Sequence, residues 1–405
     1  MPHHFFEIGS IVLLAALAAI FLSRLKQQPM IGYVLAGLII GPAFLRLVND
    51  EKEISFIAEI GVILLLFILG MELPLKSFRQ SYKVALPVTF SLVLLSLGIV
   101  FVIGLFVSLS LEQTIVYGFI IALSSTAVAV KLLEDVDLLS KGTGQIAISV
   151  LIAQDLLFVP MIMITNAMGN ESGIDIMFVP KIAAAVAVLI ALIAFLSKKE
   201  KIHLLFHKRI EKHKDLIPVA ALAWCFVGAG LSEWAGLSPA YGAFLAGLII
   251  GNSYSKEKIM PQIEPMQSVL LMVFFLSIGM LIDLNVIADN ATLIFMLLFG
   301  GLVFKTTACI LLLKFFLPED RWRCSFVTGL TISQIGEFSF ILAAAALGNE
   351  IFSDENYKII VAVIALNLAF SPLWLAFLRR FVEVAYSKKL ATSLGSALRI
   401  SAFSK

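Results

Sequence analysis

The sequence predicts an all-α integral membrane protein: thirteen transmembrane helices, built as two inverted-topology six-helix repeats with two discontinuous helices. Three observations carry this expectation. Apolar runs of membrane-spanning length fill the chain, basic residues crowd into alternate connections, and a segment near the start recurs 210 residues later. The 405 residues are 60% hydrophobic and only 14% charged, where a water-soluble domain carries roughly a quarter charged. A net charge of +2 is no nucleic-acid footprint.

Crossing a bilayer as helix takes roughly 20 apolar residues. The first group of runs is Phe5–Ser23, Met30–Leu47, Ile54–Glu72, Val84–Val107, Thr114–Leu133, Gln145–Met168 and Phe178–Leu196. The second is Leu216–Leu231, Pro239–Gly251, Gln267–Ile282, Thr292–Leu313, Ser325–Leu347 and Tyr357–Phe377. The first run has no basic region ahead of it and no Ala-x-Ala cleavage site, so it reads as a span and not as a signal peptide. Apart from Arg46, Lys52, Lys181 and Lys358, and Lys305 within a span, every Lys and Arg falls in alternate connections or the C-terminal tail. Basic connections stay in the cytoplasm, which places the N-terminus outside and the C-terminus inside a cell membrane.

The recurrence pairs Gly32–Gly41 with Gly242–Gly251, identical at eight of ten positions, with Pro29 matching Pro239. Ile152–Pro160 likewise echoes Ile364–Pro372, and Phe67–Met71 more weakly resembles Leu276–Met280. Two copies displaced by seven spans cross the membrane in opposite directions, a construction used by secondary transporters. The expected organisation is residues 1–196 as first repeat plus connecting helix, 197–215 as basic cytoplasmic loop, 216–380 as second repeat and 381–405 as tail. Gly37-x-x-x-Gly41 and Gly247-x-x-x-Gly251 are small-residue packing faces. No preceding strand supports a dinucleotide reading, and no cofactor is expected.

A charge inside a span costs ~3 kcal/mol or more, so such residues need a purpose. Asp155 lies near the middle of the sixth run beside Gln154, and Asn367 is its neutral counterpart in the second repeat. A carboxylate there holds a dehydrated monovalent cation or a proton but not both comfortably, and that competition is enough for obligate exchange. Without that role it would be a protonated carboxyl bonded to a neighbouring helix. The fifth run carries Ser124, Ser125 and Thr126; the twelfth carries Ser333, Gln334, Gly336 and Glu337. Such centres suit broken helices whose freed carbonyls and hydroxyls coordinate a cation, against unbroken helices with back-bonded hydroxyls. Glu337 is either a counter-charge for a half-helix N-terminus or an ion ligand. Lys305 either pairs with Asp155 or caps the C-terminal end of a broken helix. Glu59 and Asp283 lie nearer span ends and read as interfacial.

Cys225, Cys309 and Cys324 are too scattered for a disulfide framework. His3, His4, His203, His207 and His213 lie outside the spans and suggest no metal site. The segment Lys198–Lys214 reads as an orientation signal on anionic lipid. Competing classes fare poorly. No Thr-Val-Gly-Tyr-Gly filter supports a gated potassium channel, and no His-Glu-x-x-His or Gly-x-Ser-x-Gly supports an intramembrane hydrolase.

On Gly37–Pro42, Leu123–Ala127, Gln154-Asp155 with Pro160, Lys305 and Ser333–Phe338, the chain resembles the monovalent cation:proton antiporter family 2, in its branch of Kef-type potassium efflux systems. The resemblance covers nearly the whole chain. It implies a homodimer with a dimerisation domain and a mobile core domain, the fifth and twelfth spans crossing beside Asp155, and electroneutral exchange of K+ for H+. The sodium antiporters of this fold usually have two adjacent acids, and Gln154 stands at the first position, so Na+ or Li+ exchange is the runner-up. The family's lysine usually pairs with that first acid, which leaves Lys305 without its usual partner. Kef-type systems add a cytoplasmic nucleotide-binding regulatory domain. Here about 25 residues follow the last span and no Gly-x-Gly-x-x-Gly occurs, so the chain reads as shortened or as a short member with that domain separate. From Glu383 on, the tail reads as an amphipathic surface helix or a linker.

Overall fold

The computed structural model describes residues 4–25, 27–41, 44–45, 51–73, 75–139, 141–169, 178–198, 201–202, 216–318 and 322–386. His3, most of the basic 198–214 segment with its three histidines, the tail beyond 386 and the side chains of His4 and Glu59 lie outside the described residues. The elements are α1 (His4–Arg24), α2 (Pro29–Ile40), α3 (Glu51–Glu72), α4 (Leu75–Val107), α5 (Leu111–Ala122), α6 (Thr126–Asp135), α7 (Gly142–Met168) and α8 (Phe178–Lys198). They continue as α9 (Leu216–Trp234), α10 (Pro239–Gly251), α11 (Lys256–Met280), α12 (Leu284–Asp289), α13 (Ala291–Phe316), α14 (Trp322–Thr331), α15 (Phe338–Gly348) and α16 (Asp354–Tyr386). Six of these helices are long and apolar enough to cross a membrane, among them α4, α7 and α13. Exposed side chains such as Phe101, Leu105, Phe106 and Phe315 give them outward faces suited to lipid. The chain is a multi-pass membrane protein.

The helices sort by packing into two groups. One holds α1, α2, α3, α9, α10 and α11; the other holds α4 to α7 and α13 to α16. α8 lies against α4 and α7, and the Tyr241 hydroxyl of α10 donates to the Ala185 carbonyl of α8 at 2.7 Å. α7 is apolar all round and buried along most of its length, as a helix enclosed by others must be.

Glycines set the closest approaches in the first group. A Cβ at Gly247 of α10 would overlap the Phe67 carbonyl of α3, and one at Gly37 of α2 would overlap the Leu276 carbonyl of α11. Gly41 abuts Met280 and Gly251 abuts Met71. These are the residues of the sequence echoes, and each echoed glycine face packs on the Phe67–Met71 or Leu276–Met280 segment from the other half of the chain. Small residues let backbones approach where no water is available to drive association.

Two apolar runs are interrupted. α5 begins at a capping box, with Gln113 N–H donating to Ser110 Oγ at 3.1 Å and Gln113 Oε1 accepting from Ser110 N–H at 3.1 Å. It stops at Ala122, and α6 starts at Thr126; α14 stops at Thr331, and α15 starts at Phe338. Between them, Ser124 and Ile335 form an antiparallel bridge.

Gly247→Ala should therefore lower the thermal unfolding midpoint by several degrees, because overpacking against backbone costs about 1–3 kcal/mol. Gly230→Ala, with nothing near its Cβ position, should leave it unchanged in the same detergent melt.

Candidate functional site

The two interruptions meet and satisfy each other. Ser125 N–H donates to the Gln334 carbonyl at 3.1 Å, and Gly336 N–H donates to the Leu123 carbonyl at 3.2 Å. Gly336 is required because a Cβ there would press on the Ser124 carbonyl. Hydroxyls add further ties: Ser124 Oγ donates to the Ile332 carbonyl at 2.6 Å and Ser339 Oγ to the Ile120 carbonyl at 3.1 Å. Backbone groups freed from helices are thus paired across the crossing, as burial demands.

Two amide side chains accept from the two bridge residues. Gln154 Oε1 accepts from Ser124 N–H at 3.1 Å, and Asn367 Oδ1 accepts from Ile335 N–H at 3.1 Å. The sequence echo aligns Asn367 with Asp155, but its hydrogen bonding matches Gln154. The cause is geometric, since each break needs one side-chain acceptor for its bridge residue. Gln154 Nε2, Asn367 Nδ2 and both polar side-chain atoms of Gln334 have no hydrogen-bond partner among the described residues.

Charges complete the crossing. Lys305, fully buried on α13, donates from Nζ to the Leu123 carbonyl and to the Gln334 carbonyl, the latter at 3.3 Å. Of the two readings of Lys305, this conformation holds the helix-end cap, and no hydrogen bond or ion pair joins it to Asp155. Its two acceptors follow the C-terminal ends of α5 and α14, which carry partial negative charge. Glu337 stands at the start of α15 and accepts from Ser125 Oγ, the N-cap of α6, at 3.2 Å. It therefore lies beside two helix N-termini.

Asp155 is buried on α7, and its Oδ2 accepts from Thr126 Oγ1 at 3.4 Å. Glu337 and Glu72 both lie within electrostatic reach of it. The structure thus gathers Asp155, Gln154, Ser124, Ser125, Thr126, Gln334, Gly336, Glu337 and Lys305 around one crossing. Ser333 is spent elsewhere: its Oγ donates to the Leu330 carbonyl at 2.7 Å and accepts from Trp374 Nε1 at 3.1 Å. Asp283 caps α12 through Asn285 N–H at 2.9 Å and meets Lys358 at 3.9 Å, away from the crossing. Sequence reasoning missed Glu72 and Trp374. The signal for Glu72 is a carboxylate closing an otherwise apolar span, and for Trp374 an indole deep in the last helix, where its N–H needs an acceptor.

Residues 11–380 match the family described as "Sodium/hydrogen exchanger, transmembrane". The chain is 37% identical over 386 residues to "Iron transporter MagA" of Paramagnetospirillum magneticum, covering 95% of this chain and 88% of that protein. It is 33% identical over 383 residues to "Glutathione-regulated potassium-efflux system protein KefC" of Cronobacter sakazakii, covering 92% of this chain and 59% of that one. It is 29% identical to "K(+) efflux antiporter 5" of Arabidopsis thaliana, covering 91% and 65%. It therefore spans less than two thirds of the length of these last two relatives. The sodium proton antiporter MjNhaP1 of Methanocaldococcus jannaschii shares the fold, with a TM-score of 0.69 at 19% identity over 92% of this chain and 98% of that one.

Lys305→Met should remove the charged one of two donors from each carbonyl, which keeps its backbone N–H partner, at about 1.5–3 kcal/mol for each charge-assisted bond lost. A clear drop in thermal midpoint is expected in a detergent melt, against none for the exposed Lys314→Met on the same helix.

Proposed function

The chain belongs to the sodium/hydrogen exchanger family, and from that premise we propose that it exchanges one monovalent cation, potassium, for one proton at Asp155. The balance of charge at the crossing carries this reading. A helix end is worth roughly half an elementary charge. Two C-terminal ends offset the Lys305 ammonium, and two N-terminal ends offset the Glu337 carboxylate. At the crossing itself Asp155 is the acid left without a counter-charge, so it needs one positive charge at every stage of a cycle. A proton and a monovalent cation each supply it, and neither leaves before the other can arrive without exposing a bare carboxylate to a medium that penalises it. One-for-one electroneutral exchange follows, with Thr126 and the freed groups around Ser124 and Ser125 completing the cation's shell.

Two relatives are named for potassium efflux, and Gln154 stands where a second acid would recruit further charge. Both favour potassium over sodium or lithium. One relative is named an iron transporter, but a single unmatched negative charge suits a monovalent ion better than Fe2+.

The same reading takes the chain as thirteen crossings in two inverted repeats, with an external N-terminus and a cytoplasmic C-terminus. Paired breaks and paired glycine contacts support the repeats, and the loop charges support the orientation. The group of α1 to α3 and α9 to α11 serves as homodimer scaffold, and the group carrying Asp155 moves against it. Relatives longer than this chain suggest a cytoplasmic regulatory domain as an added partner.

Proteoliposomes with imposed K+, Na+, Li+ or Fe2+ gradients and a trapped pH dye test the exchange. Potassium should drive proton movement that voltage clamping leaves unchanged and that Asp155→Asn lowers at least 100-fold. Sodium- or iron-driven movement would overturn the selectivity. Ion flux without protons that survives Asp155→Asn would mean a channel.

Gln154→Glu keeps the acceptor for Ser124 while adding an uncompensated charge. Its exchange should become sensitive to the imposed voltage, read as a change in proton flux when the potential is stepped.

A further inference from the structure

A cavity of about 570 Å³ lies between the two helix groups, walled by α3, α10 and α11 on one side and α7, α15 and Tyr357 of α16 on the other. It sits at the ends of α7, α11 and α15 and the start of α10, and the connections there, residues 169–177, 235–238, 281–283 and 349–353, contain no Lys or Arg. By the loop-charge rule it faces away from the cytoplasm. Ile162, Phe274 and Ile341 are among its apolar lining. Asp155, Val159, Ile162 and Asn166 follow one another along one face of α7, at steps of four, three and four residues. Val159 is fully buried, so an apolar layer separates Asp155 from the cavity.

Above that layer a short polar chain joins the two groups. Asn349, at the end of α15, donates from Nδ2 to Asn166 Oδ1 at 3.2 Å and to its own helix at Ala345 at 2.7 Å. A Cβ at Gly169 would overlap Asn349, so the ends of α7 and α15 pack closely and Asn166 and Asn349 lie in the same helix group. Asn166 Nδ2 then donates across the gap to Ser238 Oγ at 3.4 Å. Ser238 is the N-cap of α10, a position where serine normally accepts from its own helix, yet its hydroxyl makes no cap bond. Ser232 Oγ holds the Ser238 carbonyl at 2.7 Å, which fixes the residue to α9 and α10.

We propose that Asn166, oriented by Asn349 and bonded to Ser238, is a latch that keeps the Asp155-bearing helix group closed against the scaffold on the non-cytoplasmic side. Opening Asp155 toward the cavity parts α7 from α10, which breaks the Asn166–Ser238 bond while the Asn166–Asn349 bond travels intact. The latch rests on the reading that Asp155 is exposed alternately to the two sides. Its test reads accessibility and not flux, so a chain that exchanges some other ion still passes or fails on its own terms.

The reporter is Val159→Cys, labelled from outside by a membrane-impermeant maleimide in intact cells, with the chain lacking that cysteine as background. Losing one neutral hydrogen bond shifts a two-state balance about 2- to 10-fold. Adding Ser238→Ala should raise the labelling rate by that factor, Asn166→Ala should do the same, and Ser238→Thr, which keeps the hydroxyl, should stay at the starting rate. Each variant must first match the parent's thermal midpoint and elution profile; Asn166→Ala serves if Ser238→Ala does not. Unchanged or slower labelling in the folded variants, or a rise in Ser238→Thr equal to that in Ser238→Ala, overturns the latch.

Discussion

A helix broken inside a membrane exposes backbone groups to a medium that offers them nothing, and the arrangement of this molecule follows from how two such breaks are reconciled. Each break supplies the other's missing partners: Leu123 accepts from Gly336, and Gln334 accepts from Ser125. The N–H groups of the two bridge residues go to Gln154 and Asn367. What remains after that is charge, and Lys305 and Glu337 take opposite signs at opposite helix ends. No single one of these groups is stable at its depth alone. Together they make a polar knot in which each cost is offset by a neighbour.

The scaffold solves a different problem. Among the described residues its helices share no buried polar knot, and instead approach through glycine faces until backbone meets backbone. The contrast has a mechanical side. The crossing is fixed by directed bonds, the scaffold by shape, and the boundary between the groups has few ties of either kind. That boundary is where the proposed alternating exposure of Asp155 would require movement.

Much of this was legible in the sequence. The Gly37 and Gly247 segments announced the close packing, and the polar centres at Ser124–Thr126 and Ser333–Glu337 announced the breaks. Three-dimensional pairing was not legible. Lys305 had two equal readings because a lone ammonium in a span specifies only that some acceptor exists, and only the fold brings Leu123 and Gln334 to it. Asn367 aligned with Asp155 by offset, yet the acceptor that a break needs is set by direction in space. Glu72 carried no mark beyond its place at a span end. The bond from Asn166 to Ser238 joins residues 72 positions apart, and neither side chain stands out from ordinary span-end polarity.

Trp374 gives the crossing a property of another kind. Its indole N–H is bonded to Ser333 at the edge of the twelfth-run break, and its ring stacks on Phe377. The other tryptophans are Trp224 and Trp234 on α9 and Trp322 at the start of α14. Indole emission responds to the field and polarity around the ring, so the molecule carries its own optical gauge at the point where the two broken helices meet. Under the proposed exchange, loading and unloading of the centre should change that emission, without a foreign dye.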